Sequence, residues 1–179
     1  MKIILGLAGE IASGKGTIAK YAAEKYGAKT WRFSTMLRDV MDRLSIEQTR
    51  PNIQLMSRIL RENFGEDLFA RVMAEDVKKT TGEIVVIDGV RRLADVKYLK
   101  ELPEFKLVYL EADLEKRYER IVKRGENSDD TKKTFAEFQK DHEGESELQI
   151  KDLKKYADLL IDNNGSYEGL YQRVDEILQ

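Results

Sequence analysis

Apolar positions along the chain fall into short unbroken runs, separated by longer stretches where they return every third or fourth residue. The runs are residues 2 to 8, 29 to 33, 84 to 87, 105 to 110 and 157 to 161, and each reads as a strand. Strands that alternate with helical patterns need crossover connections, which implies a parallel sheet covered by helices on both faces. The pattern predicts an α/β fold with five strands in one domain.

The first helix is expected from about Lys15 to Tyr26, ending at Gly27. Thr30 to Phe33 reads as the second strand, after which Ser34 or Thr35 offers an N-cap. Residues 36 to 80 read as helical without a strand, broken near Ser45 to Pro51 and at Gly65, with Pro51 suiting a helix start near Arg50 to Asn52. Ile84 to Ile87 is a strand buried on both faces that ends in the carboxylate of Asp88. Residues 113 to 124 form a helix, with Leu114, Tyr118, Ile121 and Val122 at helical spacing. Residues 125 to 144 are polar, carry Gly125 and Gly144, and read as a mobile segment. Ala157 to Ile161 leads through Asp162-Asn163-Asn164-Gly165 into a closing helix, whose stripe Tyr167, Leu170, Tyr171, Val174, Ile177 and Leu178 is core.

Composition narrows the classes. A length of 179 residues suits a single domain with one substantial core. A net charge of −2 lacks the basic footprint of a general nucleic-acid binder. Without cysteine there is neither a disulfide scaffold nor a thiolate site. No apolar stretch approaches the ~20 residues of a membrane span, and strand pattern begins at once. The expectation is a cytoplasmic chain with neither nucleic acid nor membrane as partner. Its oligomeric state is left open.

One stretch carries chemistry above the rest. Gly9-Glu10-Ile11-Ala12-Ser13-Gly14-Lys15-Gly16-Thr17 lies between the first strand and the first helix. Glycines at 9, 14 and 16 permit backbone angles at which successive N–H groups converge on one anion, and the helix N-terminus adds its own unpaired N–H groups and positive dipole end. Lys15 supplies a point charge for outer phosphates, and Thr17 a hydroxyl for Mg²⁺ or its bound water. The backbone of Gly9, Ala12, Ser13, Gly14, Lys15, Gly16, Thr17 and Ile18 thus reads as the cradle of a nucleoside triphosphate, with ATP and Mg²⁺ as the expected cofactors.

Asp88 projects from the carboxyl end of a central strand, where open parallel sheets bind ligands. A carboxylate there can hold a metal-bound water or take a proton from an attacking oxygen. Arg117, Arg120 and Arg124 stand three and four residues apart and share one helix face. No guanine-reading Asn-Lys-x-Asp string occurs.

These segments resemble the adenylate kinases and their relatives. The Gly-Lys-Gly-Thr order of the loop is theirs, and Asp88-Gly89-Val90-Arg91-Arg92 resembles their Asp-Gly-x-Pro-Arg, whose arginine grips the acceptor phosphate. The shorter Asp-Gly-x-Arg of related families favours Arg91 over Arg92 for that grip. Ser34-Thr35-Met36-Leu37-Arg38 resembles the Ser-x-x-Leu-Arg of phage deoxynucleoside monophosphate kinases, which implies Ser34 and Arg38 on the acceptor. Arg61, in Leu60-Arg61-Glu62, is a further candidate for the acceptor or for an i,i+4 surface pair. Arg120-Ile121-Val122-Lys123-Arg124 resembles the Arg-x-x-x-Arg whose first arginine packs on adenine and whose second meets the phosphates.

Between Gly125 and Gln172 the chain has no arginine, although adenylate kinase lids carry two. Lys132, Lys133 or Lys140 would substitute as point charges, and His142 reads as a surface residue. With the Ser128-Asp129-Asp130 stretch and Ala157-Asp158 to Asn163, the likeness is to an archaeal-type family of dephospho-CoA kinase-like P-loop proteins, across nearly the whole chain. It implies a three-layer P-loop fold with a helical acceptor-binding insertion at about 34–80 and a small lid at about 125–145. It also implies a phosphotransferase that moves the γ-phosphoryl group of Mg·ATP to a nucleotide-like acceptor. A nucleoside monophosphate is the first expectation and dephospho-CoA the alternative, followed by an ATPase or regulatory module without an acceptor.

Overall fold

A computed structural model describes residues 2–124, 134–141 and 145–179. Its strands are β1 (Ile3–Ala8), β2 (Lys29–Arg32), β3 (Ile84–Val90), β4 (Phe105–Glu111) and β5 (Leu159–Asp162). They form one parallel sheet in the order β2-β3-β1-β4-β5. The helices are α1 (Lys15–Tyr26), α2 (Phe33–Arg43), α3 (Arg50–Phe64), α4 (Leu68–Lys79), α5 (Leu93–Val96), α6 (Leu114–Arg124), α7 (Phe135–Asp141), α8 (Glu145–Asp152) and α9 (Tyr167–Leu178).

The two-residue period of a strand sorts the apolar runs onto two faces. Ile4, Ala8, Val85, Ile87, Leu107 and Tyr109 point to one side, where they pack with Phe33, Phe69, Met73 and Val77 from α2 and α4. Leu5, Leu7, Val86, Val108 and Leu110 point to the other, against Ile18 and Ala22 of α1 and Leu170, Val174 and Leu178 of α9. Apart from Lys106 and, toward the strand ends, Asp88 and Glu111, the central strands β1, β3 and β4 therefore carry no charged side chains, which is why their runs are nearly continuous. Helices cover both faces, as expected of this α/β pattern.

Several boundaries differ from expectation. Phe33 is the first residue of α2, not the last of β2, because its ring is buried in the core beneath that helix. Ser34 and Thr35 consequently sit inside the first turn, and α2 has no side-chain cap. β3 continues past Asp88 through Gly89, whose φ of 88° marks a bulge where the register against β1 shifts. The polar stretch expected to be mobile contains α7 among its described residues, seated by Phe138, which is fully buried. Two aromatics three apart in seven residues are too little pattern to announce that helix.

Candidate functional site

β1 runs into the loop of residues 9–14 and α1 carries the chain away from it. Gly9 and Gly14 adopt φ of 140° and 113°, conformations that side chains rarely adopt. Space makes the same demand: a Cβ at Gly9 would lie 2.4 Å from the Leu110 carbonyl oxygen, and one at Gly14 would lie 2.3 Å from Asn163 Nδ2. Gly16 differs from the expectation. It lies within α1 without a left-handed φ, and a Cβ there would meet nothing within 4 Å. Its missing side chain leaves open space instead of permitting a turn.

α1 opens with no side-chain cap and no acidic residue in its first turn, so its positive end is left to the loop. The Lys15 ammonium folds back over that loop and donates to the carbonyls of Gly9 and Glu10 at 2.6 and 2.9 Å. Ser13 is buried and Thr17 half-buried. Ile18 leaves the expected cradle: its N–H donates to the Gly14 carbonyl at 3.1 Å, and its side chain is core.

Two elements wall the loop from outside. Arg117, three residues before Arg120 on α6, is buried, and its Nε donates to the Ala112 carbonyl at 2.9 Å. Its Nη1 reaches the Ile11 carbonyl at 3.4 Å, and its Nη2 lies 3.3 Å from Glu10 Oε1. Asn163, read from sequence as part of a turn and as the end of the Ala157-Asp158 to Asn163 stretch, is buried after β5 and donates from Nδ2 to the Ser13 carbonyl at 2.8 Å. The Asn163 carbonyl accepts from Arg120 Nη2 at 2.7 Å, while Arg120 Nη1 is buried without a hydrogen-bond acceptor. Arg124 closes α6, and its side chain lies outside the described residues.

The opposite wall stands at the carboxyl ends of β2 and β3. Register places Arg32 beside Asp88, and Arg32 Nε approaches Asp88 Oδ2 at 3.2 Å. The strand pattern concealed Arg32, since a charged residue at a strand end is unremarkable by itself. A cleft of about 410 Å³ gathers Gly16, Lys20, Arg32, Thr35, Arg38 and Asp88. Arg38 is additionally held by Gln48 Oε1 at 2.8 Å. Ser34 does not line this cleft, and Thr35 one residue later does.

The two arginines after Gly89 part ways. Arg92 pairs with Glu66 at 2.9 Å, whereas Arg91 is exposed and fixed through its backbone, whose N–H donates to Asp95 Oδ2 at 3.0 Å. Arg61, expected to meet an acceptor or form a surface pair, does neither. It is buried, with Nε toward Ser57 at 3.4 Å, Nη1 on the Glu66 carbonyl at 2.6 Å and Nη2 on Asp95 Oδ1 at 3.0 Å. Its guanidinium also lies over the Phe69 ring at 4.7 Å. With every nitrogen engaged, Arg61 holds structure in place of substrate.

Among the described residues no cluster of three or more His, Asp or Glu can hold a metal alone. Thr17 and Asp88, one hydroxyl and one carboxylate, fit Mg²⁺, which takes few protein ligands and fills its shell with phosphates and water. Lys132, Lys133, His142 and the Ser128-Asp129-Asp130 stretch lie outside the described residues, and Lys140 is exposed on α7. Among the described residues no helix is long and apolar enough to cross a membrane.

Comparison with known proteins agrees with this layout. Residues 8–139 match the family described as AAA domain. A UPF0200 protein of Saccharolobus islandicus is 35% identical over 99% of this chain and 92% of its own length. A UPF0200/UPF0201 protein of Archaeoglobus fulgidus is 32% identical over 99% of the chain, which spans only 55% of that relative. Among solved structures, a dephospho-CoA kinase from Campylobacter jejuni superposes with a TM-score of 0.61 at 18% identity, covering 100% of this chain and 96% of that one. The shared architecture is the P-loop kinase fold.

Proposed function

Because the chain belongs to the AAA-domain family and to the UPF0200 proteins, and has the P-loop kinase fold, we propose that it is a kinase that moves the γ-phosphoryl group of Mg·ATP to a nucleotide-like acceptor, a nucleoside monophosphate first. The observation that carries this reading is the cleft. It joins Gly16, next to the loop lysine, to Arg38 and Asp88 in one continuous space.

In this mechanism the loop backbone and Lys15 hold the β- and γ-phosphates of the donor. Thr17 and Asp88 hold the metal, which when bound neutralises charge on the transferring group. Arg38 and Arg91 hold the acceptor phosphate through planar guanidinium forks, which a lysine could not imitate. Arg120 and Arg124 serve the closing side, against the charge that builds on the leaving group. An acceptor phosphate oxygen attacks the γ-phosphorus, the bond to the β-phosphate oxygen breaks, and ADP leaves with the electron pair. The nucleophile is already an anion, so no general base is required and Asp88 is reserved for the metal.

The test is ADP release from Mg·ATP against ribo- and deoxyribonucleoside monophosphates, nucleosides and dephospho-CoA. One strongly preferred phosphorylated acceptor is expected. Slow release that no acceptor stimulates would replace this reading with an ATPase or a nucleotide-binding module.

A further inference from the structure

Glu10 is an acidic side chain inside a loop that otherwise gathers positive potential. Its Oε1 is buried and makes no hydrogen bond, yet two cations flank it: Arg117 Nη2 at 3.3 Å and Lys151 Nζ at 3.7 Å. The cations are unlike. Arg117 is buried and anchored on two carbonyls, whereas the Lys151 side chain is 48% exposed and reaches the loop only through Glu10.

Lys151 stands on a fixed root. Its neighbours Ile150 and Leu153 are buried in the core cluster that also holds Val85 and Tyr109, so α8 is seated against the sheet. A half-exposed pair at this separation adds little stability, about 0 to 1 kcal/mol for surface pairs in general. Its value lies elsewhere. Such a contact is easily exchanged for a stronger one, and a polyphosphate offers several charged oxygens where Glu10 offers one. Three cations (Lys15, Arg117, Lys151) against one carboxylate leave 3 − 1 = +2 around the loop, which complements a triphosphate.

We infer that Lys151 is a ligand of the donor's terminal phosphate, and that Glu10 is a positioning residue whose carboxylate holds Lys151 beside the loop until the nucleotide arrives. The inference rests on the kinase reading, since it takes the loop to bind ATP. It lets a lysine of the arginine-free stretch between Gly125 and Gln172 supply a cation to the donor's phosphates.

The test is calorimetric binding of ATP and ADP to the full chain at low salt. Lys151→Ala is expected to weaken ATP about tenfold while leaving ADP within about twofold, and Lys151→Arg to restore most of the ATP affinity. Glu10→Gln, which releases the lysine and removes a like charge, is expected to widen the preference for ATP over ADP, and adding Lys151→Ala to cancel that gain. Equal loss of ATP and ADP, or no loss of either, overturns the role of Lys151 while the kinase reading stands. Failure of the wild-type chain to bind ATP or ADP overturns both.

Discussion

Arg61 on α3 donates from Nη2 to Asp95 Oδ1 at 3.0 Å, and the other oxygen of that carboxylate accepts the backbone N–H groups of Arg91 and Arg92, each at 3.0 Å. One buried ion pair therefore ties the helical insertion to the turn that presents Arg91. Removing one member of such a pair strands a buried charge, which costs about 3 to 5 kcal/mol. Arg61→Met should lower unfolding stability by that amount. Asp95→Ala should cost about 1 to 3 kcal/mol more, because two N–H groups lose their acceptor. Denaturant unfolding of both variants checks the order, and Arg61→Met as the worse would contradict it.

Gly14 and Gly16 should respond oppositely to alanine. Gly14→Ala meets Asn163 Nδ2 at 2.3 Å from a backbone φ of 113°, so it should destabilise by about 1 to 3 kcal/mol through strain alone. Asn163→Ala removes the steric part and not the strain, so the double variant should fall short of additivity by about 0.5 kcal/mol or more. Gly16→Ala, with open space for its Cβ, should gain about 0.5 kcal/mol from helix propensity. Thermal unfolding of the four variants is the measurement. A destabilised Gly16→Ala would mean that the open space is needed by the fold itself.

How much of this was legible in the sequence depended on whether local pattern or distant contact decided each feature. α1 stands where it was expected, at about Lys15 to Tyr26, because a glycine-rich loop and Gly27 bracket it. β1, β3 and β4 were legible because both faces are buried, which makes their runs nearly continuous, whereas the edge strands β2 and β5 are largely exposed and showed only as short runs between helical patterns. The β2–α2 junction was not, since Trp31-Arg32-Phe33 alternates as a strand would and only the core beneath α2 claims Phe33. Spacing put Arg117 with Arg120 on one face, yet it could not say that this face meets the loop. Asn163, Glu10 and Lys151 gave no local signal at all. Their partners lie across the sheet or 150 and 141 residues away in sequence.

The junction of α1 and α9 should make stability pH-dependent. Asp175 is held below the usual carboxylate range, chiefly by the Lys25 ammonium and then by the Tyr26 hydroxyl. Lys25 is raised above its usual range, chiefly by the same carboxylate and then by the Tyr21 hydroxyl. A carboxyl depressed by folding contributes stability above its unfolded pKa of about 4, which is lost as pH falls through the folded value. The raised lysine contributes below its unfolded pKa of about 10.4, and that part is lost as pH rises through the folded value. The Tm advantage of the wild-type chain over Asp175→Asn should thus be flat near neutrality and shrink below about pH 4. An advantage that grew on acidification would contradict the assignment.

Anchoring of the loop by Asn163 should matter to nucleotide binding beyond stability. Its Nδ2 holds the Ser13 carbonyl and its own carbonyl holds Arg120. Asn163→Ala should weaken ADP and ATP alike, by about tenfold, since preorganisation of the loop serves both. Asn163→Asp should be worse, because it places a like charge where the donor stood. Calorimetric titration of the folded variants decides, and unchanged affinities would make the contact purely structural.

The most direct test of the central claim follows the phosphoryl group itself. With ATP labelled at the γ-phosphate, a single turnover of the wild-type chain in the presence of its preferred acceptor should place the label on that acceptor's phosphate. Lys15→Ala, folded as judged by circular dichroism, should transfer none. Label recovered only as inorganic phosphate, or transfer that survives Lys15→Ala within about tenfold of the wild-type rate, would contradict the account.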